Sequence, residues 1–188
     1  MKRKLWLALV AALLPSIAFA HPGHGGGFLP AFAHPFTGID HLLMMLCVGV
    51  WAGRIGGAAR WQLPLTFLSA MTAGWLLGAN GLVFGGVESG IAAGLIALGV
   101  LLAWQAAMPR GVQIAIIAAF AMLHGLAHGI ELSGPLPLAT TVGFLAATAL
   151  LHGAGLFIAA RMPRDSKTIY RALGTLLTVI GGGLLVGL

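Results

Sequence analysis

The chain has 188 residues, of which 59% are hydrophobic and 7% are charged, and its mean hydropathy is +1.00. Soluble domains carry about 25% charged residues, so this composition excludes an ordinary soluble protein. The formal net charge of +6 does not indicate nucleic-acid binding, because the basic residues stand singly or in short groups between apolar runs. The length suits one bundle of membrane-spanning helices rather than two domains. The lone Cys47 offers no disulfide framework and is predicted to be a buried apolar residue.

The first 20 residues have the organisation of a secretory signal peptide. Residues 2–4 are all basic, residues 5–14 are apolar, and residues 18–20 read Ala-Phe-Ala, a cleavage site of the A-x-A type. We predict cleavage after Ala20, with an uncleaved anchor as the alternative. Either outcome leaves the orientation of the following segments unchanged.

Residues 21–35 are predicted to form a flexible periplasmic lead-in that is rich in His and Gly. Its glycines favour flexibility, and Pro22 is incompatible with a helix interior. His21 and His24, next to the free amine that cleavage would create, offer weak ligands for a divalent metal ion. The alternative is an unstructured segment that binds no metal.

The remaining chain, residues 36–188, is predicted to be an all-α bundle of about six transmembrane helices. Six apolar segments are each near the roughly 20 residues that a spanning helix needs. Glycine pairs four residues apart recur within them, and small residues at this spacing predict close contacts between membrane helices. The segments are 36–53, 62–79, 87–107, 112–129, 138–160 and 169–187, and the glycine pairs are Gly49/Gly53, Gly74/Gly78, Gly90/Gly94 and Gly125/Gly129.

After the first 20 residues, Arg and Lys occur in alternate connections between these segments, and Arg171 lies at the start of the sixth segment. They occur between the first and second, the third and fourth, and the fifth and sixth segments, whereas the other two connections contain none. Because basic loops remain in the cytoplasm, this pattern predicts that the mature N-terminus and the C-terminus both lie in the periplasm. We therefore expect a multi-pass protein in the lipid bilayer of the bacterial inner membrane.

Ionisable residues form two clusters near the outer ends of the first and fourth segments. The first cluster is His34, Asp40 and His41, and the second is His124, His128 and Glu131. The three members of the second cluster share one face of a helix. An acid at mid-bilayer costs roughly 2.5–3.5 kcal/mol, so such groups usually mark an ion path or a binding site. We interpret the two clusters as halves of one metal site.

Two further candidates lie outside these clusters. Glu88 begins the third segment on the same side, and His152 stands deeper in the fifth segment, with Thr148 one turn before it. Glu88 is either a ligand or an interfacial acid exposed to water, and His152 either a path residue or a contact between helices. Imidazole and carboxylate ligands together suit Ni2+, Co2+, Cu2+ and Zn2+, and the absence of thiolate ligands and the scarcity of Met ligands disfavour Cu+.

The two clusters also carry a resemblance to a known family. The signal peptide, His34-Pro-Phe-Thr-Gly-Ile-Asp40-His41 and His124-Gly-Leu-Ala-His128-Gly-Ile-Glu131 resemble the HupE/UreJ hydrogenase and urease accessory proteins, over essentially the whole chain. The resemblance implies a permease that takes up Ni2+ for metalloenzyme maturation, with Co2+ or Zn2+ as possible cargo. The residues that it implies as functional are His34, Asp40, His41, His128 and Glu131, with His124 in the same motif.

Three other functions are compatible with parts of the sequence. A b-type cytochrome would use His124 or His128 with His152 as axial haem ligands, although the neighbouring acids disfavour it. An intramembrane hydrolase would use Ser89, but Val87 breaks the G-x-S-x-G pattern there. A metal-binding scaffold that does not transport would have the same ligands as a permease. We expect no enzymatic activity. Pumping driven by nucleotide hydrolysis is not expected either, because the sequence has no nucleotide-binding loop. The oligomeric state stays open.

Overall fold

The computed structural model describes residues 27–187, apart from residues 84, 106, 132–136 and 164–165, and these ranges are entirely helical or irregular. The predicted signal peptide, together with His21 and His24, lies outside the described residues. The helices are α1 Phe28–Ala33, a 3-10 turn His34–Phe36, α2 Ile39–Ile55, α3 Ala59–Ala79, α4 Val87–Trp104, α5 Arg110–Glu131, α6 Pro137–Arg161 and α7 Lys167–Leu185.

Each of the six predicted apolar segments corresponds to one of the helices α2 to α7. The ends of the helices differ from the predicted ends by only a few residues. Two of these ends have local causes in the backbone. Helix α2 ends at Gly56, whose φ of 79° lies in a region that favours glycine. Helix α4 ends at Gln105, a non-glycine residue with a φ of 59°. The side chain of Gln105 is hydrogen-bonded, and these contacts hold the residue in this conformation.

Among the residues that the structure describes, four helices are long and apolar enough to cross a membrane: α4, α5, α7 and residues Leu138–Arg161 of α6. A fifth candidate arises if the Phe28–Phe36 segment and α2, which meet at 81°, form one bent span. Helix α3 has 21 residues but is less apolar, since Gln62 and Thr66 interrupt its hydrophobic sequence. The chain is therefore an all-α, multi-pass membrane protein.

The structure differs from the expected flexible lead-in over residues 28–35. Phe28–Ala33 is a helix, Ala31 and Pro35 are buried, and the Gly27 amide donates a hydrogen bond of 3.0 Å to Thr140 Oγ1 on α6. Contacts between aromatic side chains four residues apart stabilise this helix. Phe32 lies between two neighbouring rings, with centroid distances of 5.7 and 5.8 Å. This short apolar stretch covers the outer part of α6 instead of spanning.

Glycines allow close approach within two pairs of helices, as their spacing predicts. Helix α3 packs against α5 through Gly74 and Gly78, and α2 packs against α6 through Gly49. A Cβ on Gly125 of α5 would overlap the carbonyl oxygen of Met71 on α3. Such contacts fix the rotation of α5, whose histidines flank these glycines. The pair Gly90/Gly94 differs, because side chains of α5, not backbone, meet it.

Arg54 marks the end of the bundle at which the basic residues collect. Its Nη2 donates to Gln105 Oε1 at 2.9 Å, and Gln105 Nε2 donates to the Lys167 carbonyl at 3.2 Å. The Arg54 guanidinium also lies 4.9 Å from the centroid of the Tyr170 ring. These contacts join the ends of α2 and α4 to the start of α7. The start of α2 and the end of α5, which carry the ligand clusters, therefore lie at the opposite end.

Replacing Gly125 by Ala should destabilise the bundle by roughly 1–3 kcal/mol, because the added Cβ meets backbone that cannot move aside. A lower unfolding temperature in detergent would report this loss. Gly182→Ala is the matched control, since a Cβ there meets no atom within 4 Å in the described part of the chain. Equal unfolding temperatures for the two variants would contradict the close contact between α3 and α5.

Candidate metal centre

The first turn of α2 orients His41 through its neighbour Asp40. The 3-10 turn and Gly38 precede the helix, so that Asp40 occupies its first turn. His41 Nδ1 lies 2.9 Å from Asp40 Oδ1. Because a carboxylate accepts this hydrogen bond, Nδ1 carries the hydrogen and Nε2 keeps a free lone pair. His41 Nε2 is buried and has no hydrogen-bond partner among the described residues.

The end of α5 supplies two more buried imidazoles. His124 and His128 are fully buried, and all residues from 124 to 129 are enclosed by the bundle. His124 Nδ1 lies 2.9 Å from the Phe120 carbonyl oxygen. A carbonyl only accepts, so Nδ1 is again the donor and Nε2 the available ligand atom. The His128 ring is held by stacking on Phe144, at a centroid distance of 5.4 Å and an interplanar angle of 20°.

His34 closes the cluster from the turn before α2. Its Nε2 lies 3.3 Å from Glu131 Oε2, so the two sequence motifs meet at the outer end. The His128 ring lies 4.9 Å from His34 and 4.8 Å from His41, between centroids, and His41 lies 5.2 Å from His124. The six residues of the two clusters therefore form one group in space.

Three imidazoles come close enough to share one ion. One ligand atom from each of His34, His41 and His128 lies within 4.8 Å of the other two. Metal–nitrogen bonds of about 2.1 Å allow two ligands to be at most roughly 4.2 Å apart. Side-chain rotations that draw the three nitrogens closer together would therefore be needed for all three to bind one ion.

The ring nitrogens of His128 favour a metal ligand over a purely structural histidine. Both nitrogens are buried, and neither has a hydrogen-bond partner in the ranges that the structure describes. The same holds for His124 Nε2. Buried polar atoms are nearly always paired, so several unpaired nitrogens around one point need an explanation. Coordination of a divalent ion would satisfy them together.

The carboxylates lie at the exposed rim of this group. Side-chain exposure falls from 45% at Glu131 to 28% at His34, 20% at Asp40 and 8% at His41. Glu88 does not join the imidazoles directly. It lines, with Glu131, a cavity of about 230 Å³ at the outer end of α4 and α5. Glu88 and Glu131 thus line the opening, and the buried imidazoles of His41, His124 and His128 lie behind it.

His152 lies apart from the cluster and deeper in the bundle. Its Nδ1 is 2.6 Å from the Met45 carbonyl oxygen. The Phe67 ring contacts both His152 and His124, with centroid distances of 5.0 and 5.7 Å. Phe67, Phe144 and Met45 were not singled out from the sequence. An apolar residue in an apolar helix carries no signal that it borders a polar site.

The fold and site define a multi-pass helical membrane protein with a group of mostly buried imidazoles bordered by more exposed carboxylates. The sequence pattern of the HupE / UreJ protein family matches residues 8–184, and the chain belongs to this family. It is similar to "Protein HupE" of Rhizobium leguminosarum bv. viciae, with 40% identity over 188 residues and 98% of each chain covered. No solved structure matches the chain.

Replacing Asp40 by Asn should weaken the affinity for Ni2+ by about 10- to 100-fold, because the His41 ring loses the carboxylate that orients it. Equilibrium dialysis of the purified protein would measure this change. A near-native circular dichroism spectrum of Asp40→Asn would exclude unfolding as the cause. Unchanged affinity would show that Asp40 does not position a ligand.

Proposed function

We propose that this chain is a permease that takes up a divalent transition-metal ion, primarily Ni2+, from the periplasm into the cytoplasm. The observation that supports this most is the group of His34, His41 and His128, whose nitrogens converge behind a rim of carboxylates. In this proposal Glu88 and Glu131 attract the hydrated ion. The imidazoles then replace part of its water shell.

The types of ligand favour borderline transition metals. Imidazole suits Ni2+, Co2+ and Zn2+, whereas hard ions such as Mg2+ prefer oxygen ligands throughout. Membership of the HupE/UreJ family favours Ni2+ and a role in supplying metal to hydrogenase or urease. Co2+ and Zn2+ are the competing cargo ions.

The proposal includes six spans and a periplasmic location for both termini of the mature chain. Helices α2 and α3 are shorter or less apolar than the other four. Both lie against other helices, and the stretch Met44–Gly53 is almost completely buried. A span enclosed by neighbouring helices needs less lipid-facing apolar surface. The end around Arg54 and Lys167 would then face the cytoplasm.

A haem protein fits this arrangement less well than a permease does. A haem between His124 and His152 would need the space that the Phe67 ring occupies between them. The carboxylates at the rim have no role in a haem site with two axial imidazole ligands. A scaffold that binds metal without moving it has the same ligands, and a flux measurement distinguishes it from a permease.

Purified protein in liposomes should accumulate Ni2+, and Co2+ and Zn2+ should be compared side by side. His41→Ala and His128→Ala should each reduce uptake by about tenfold or more, since each removes a ligand atom from the same ion. Asn80→Ala is the control at the same end, because its exposed amide bonds only the Leu76 carbonyl. Normal uptake by either histidine variant would refute the shared site.

A topology reporter tests the orientation independently of transport. Alkaline phosphatase fused to the C-terminus should be active, because an even number of spans returns the chain to the periplasm. A fusion in the α6–α7 connection, near Lys167, should be inactive. The opposite pair of results would place the C-terminus in the cytoplasm and exclude the proposed combination of six spans with periplasmic termini.

A further inference from the structure

Below the imidazole cluster, buried side chains of three helices, α2, α3 and α6, meet around Thr148 of α6. Thr148 Oγ1 lies 3.3 Å from Met45 Sδ of α2 and 3.9 Å from Met71 Sδ of α3. It also donates a hydrogen bond of 2.8 Å to the Phe144 carbonyl. A hydroxyl has one hydrogen, which this carbonyl takes, so the lone pairs of the oxygen and of both sulfurs remain available.

His152 lies one turn from Thr148 on the same face of α6, and Met45 joins the two residues. The Met45 carbonyl accepts from His152 Nδ1 at 2.6 Å, while the Met45 sulfur contacts the threonine. Nε2 of His152 is therefore the nitrogen with the lone pair. It is buried and has no hydrogen-bond partner within the described part of the chain. Buried polar atoms are normally paired, so this nitrogen is available to a ligand.

We propose that Met45, Met71, Thr148 and His152 form a second, inner site at which the transported ion pauses after leaving the outer cluster. This inference rests on the proposed function. It names the residues of a second site on the path of the ion and gives a physical basis for selecting among ions. Its donors are one imidazole nitrogen, one hydroxyl oxygen and two thioether sulfurs, all neutral. The outer cluster, in contrast, includes the carboxylate of Glu131 close to its imidazoles.

Neutral donors suit a transit site because conduction requires binding that is weak enough for release. Thioethers are soft ligands, so they favour Ni2+ and Co2+ over Mg2+, Ca2+ and Mn2+. The inner site would thus reject hard ions that the outer carboxylates attract. The site contains two methionines at fully buried positions, where Leu would have provided the same apolar volume.

X-ray absorption at the nickel edge tests the inner site without a transport assay. All proteins carry Cys47→Ala, so that the buried thiol cannot supply sulfur. At Ni2+ concentrations above those that saturate the outer cluster, this protein should show a sulfur shell around part of the nickel. The double variant Met45→Leu/Met71→Leu should lose that shell. Absence of sulfur in the parent, or its persistence in the double variant, would overturn the inner site.

Met44→Leu is the matched control, because Met44 is equally buried beside Met45 but its side chain lies near Gly94 of α4. Leu conserves the volume of Met, so these variants are expected to fold. Met44→Leu should keep both the sulfur shell and Ni2+ uptake. The double variant should keep the affinity of the outer cluster, lose most Ni2+ uptake and discriminate less against Mn2+.

His152→Ala is the second variant for transport and should likewise lose most uptake with unchanged outer affinity. Normal uptake by both His152→Ala and the double variant would exclude the transit role. If the parent protein took up no nickel at all, the permease function would fail. The sulfur shell would then still decide whether the inner site binds metal.

Discussion

Burying imidazoles in an apolar bundle requires that each ring nitrogen find a partner, and this requirement dominates the structure. In His41, His124 and His152 one of the two ring nitrogens is satisfied in the same way, because Nδ1 donates a hydrogen bond to an oxygen. This fixes the tautomer and leaves the lone pair on Nε2 in every case. The remaining nitrogens have no hydrogen-bond partner among the described residues. Imidazole permits this arrangement because, unlike a carboxylate, it can be buried and still coordinate a cation without a charge of its own.

The placement of these rings depends on glycine contacts far more than on the polar residues themselves. Gly125 lies beside His124 and against the Met71 backbone of α3. A larger residue at position 125 would therefore push α3, with the Met71 side chain, away from α5. Gly49 of α2 meets the His152 carbonyl of α6 in the same manner. Backbones at this distance have little freedom to rotate, which keeps several side chains within reach of one ion.

The sequence was sufficient to predict the helical segments and the residues of the outer cluster, because hydrophobic length and ionisable residues in apolar surroundings are strong local signals. It was not sufficient for α1, because a helix of six residues is too short to show the hydrophobic length of a membrane span. This helix is stabilised by stacking of its aromatic side chains and by packing on α6. The convergence of His34 with Glu131 depends on how α2 and α5 are arranged, which spacing along the chain does not specify. Phe67 and Met71 become informative only when their neighbours across the bundle are known.

Charge decreases along the line from the outer rim to the interior, and this order has an electrostatic reason. Carboxylates act best where water still screens them, since burying an isolated anion is costly. Glu131 is accordingly the most exposed member of the outer cluster, and Asp40 is tied to His41. Further in, the donors among the described residues are neutral, so a cation in the proposed inner site would be held less strongly than one at the rim. At the far end Arg54, packed on Tyr170 and bonded to Gln105, ties three helices together. In the proposed transport, an ion that has passed the neutral donors would meet this positively charged end, and its release there would require these contacts to separate.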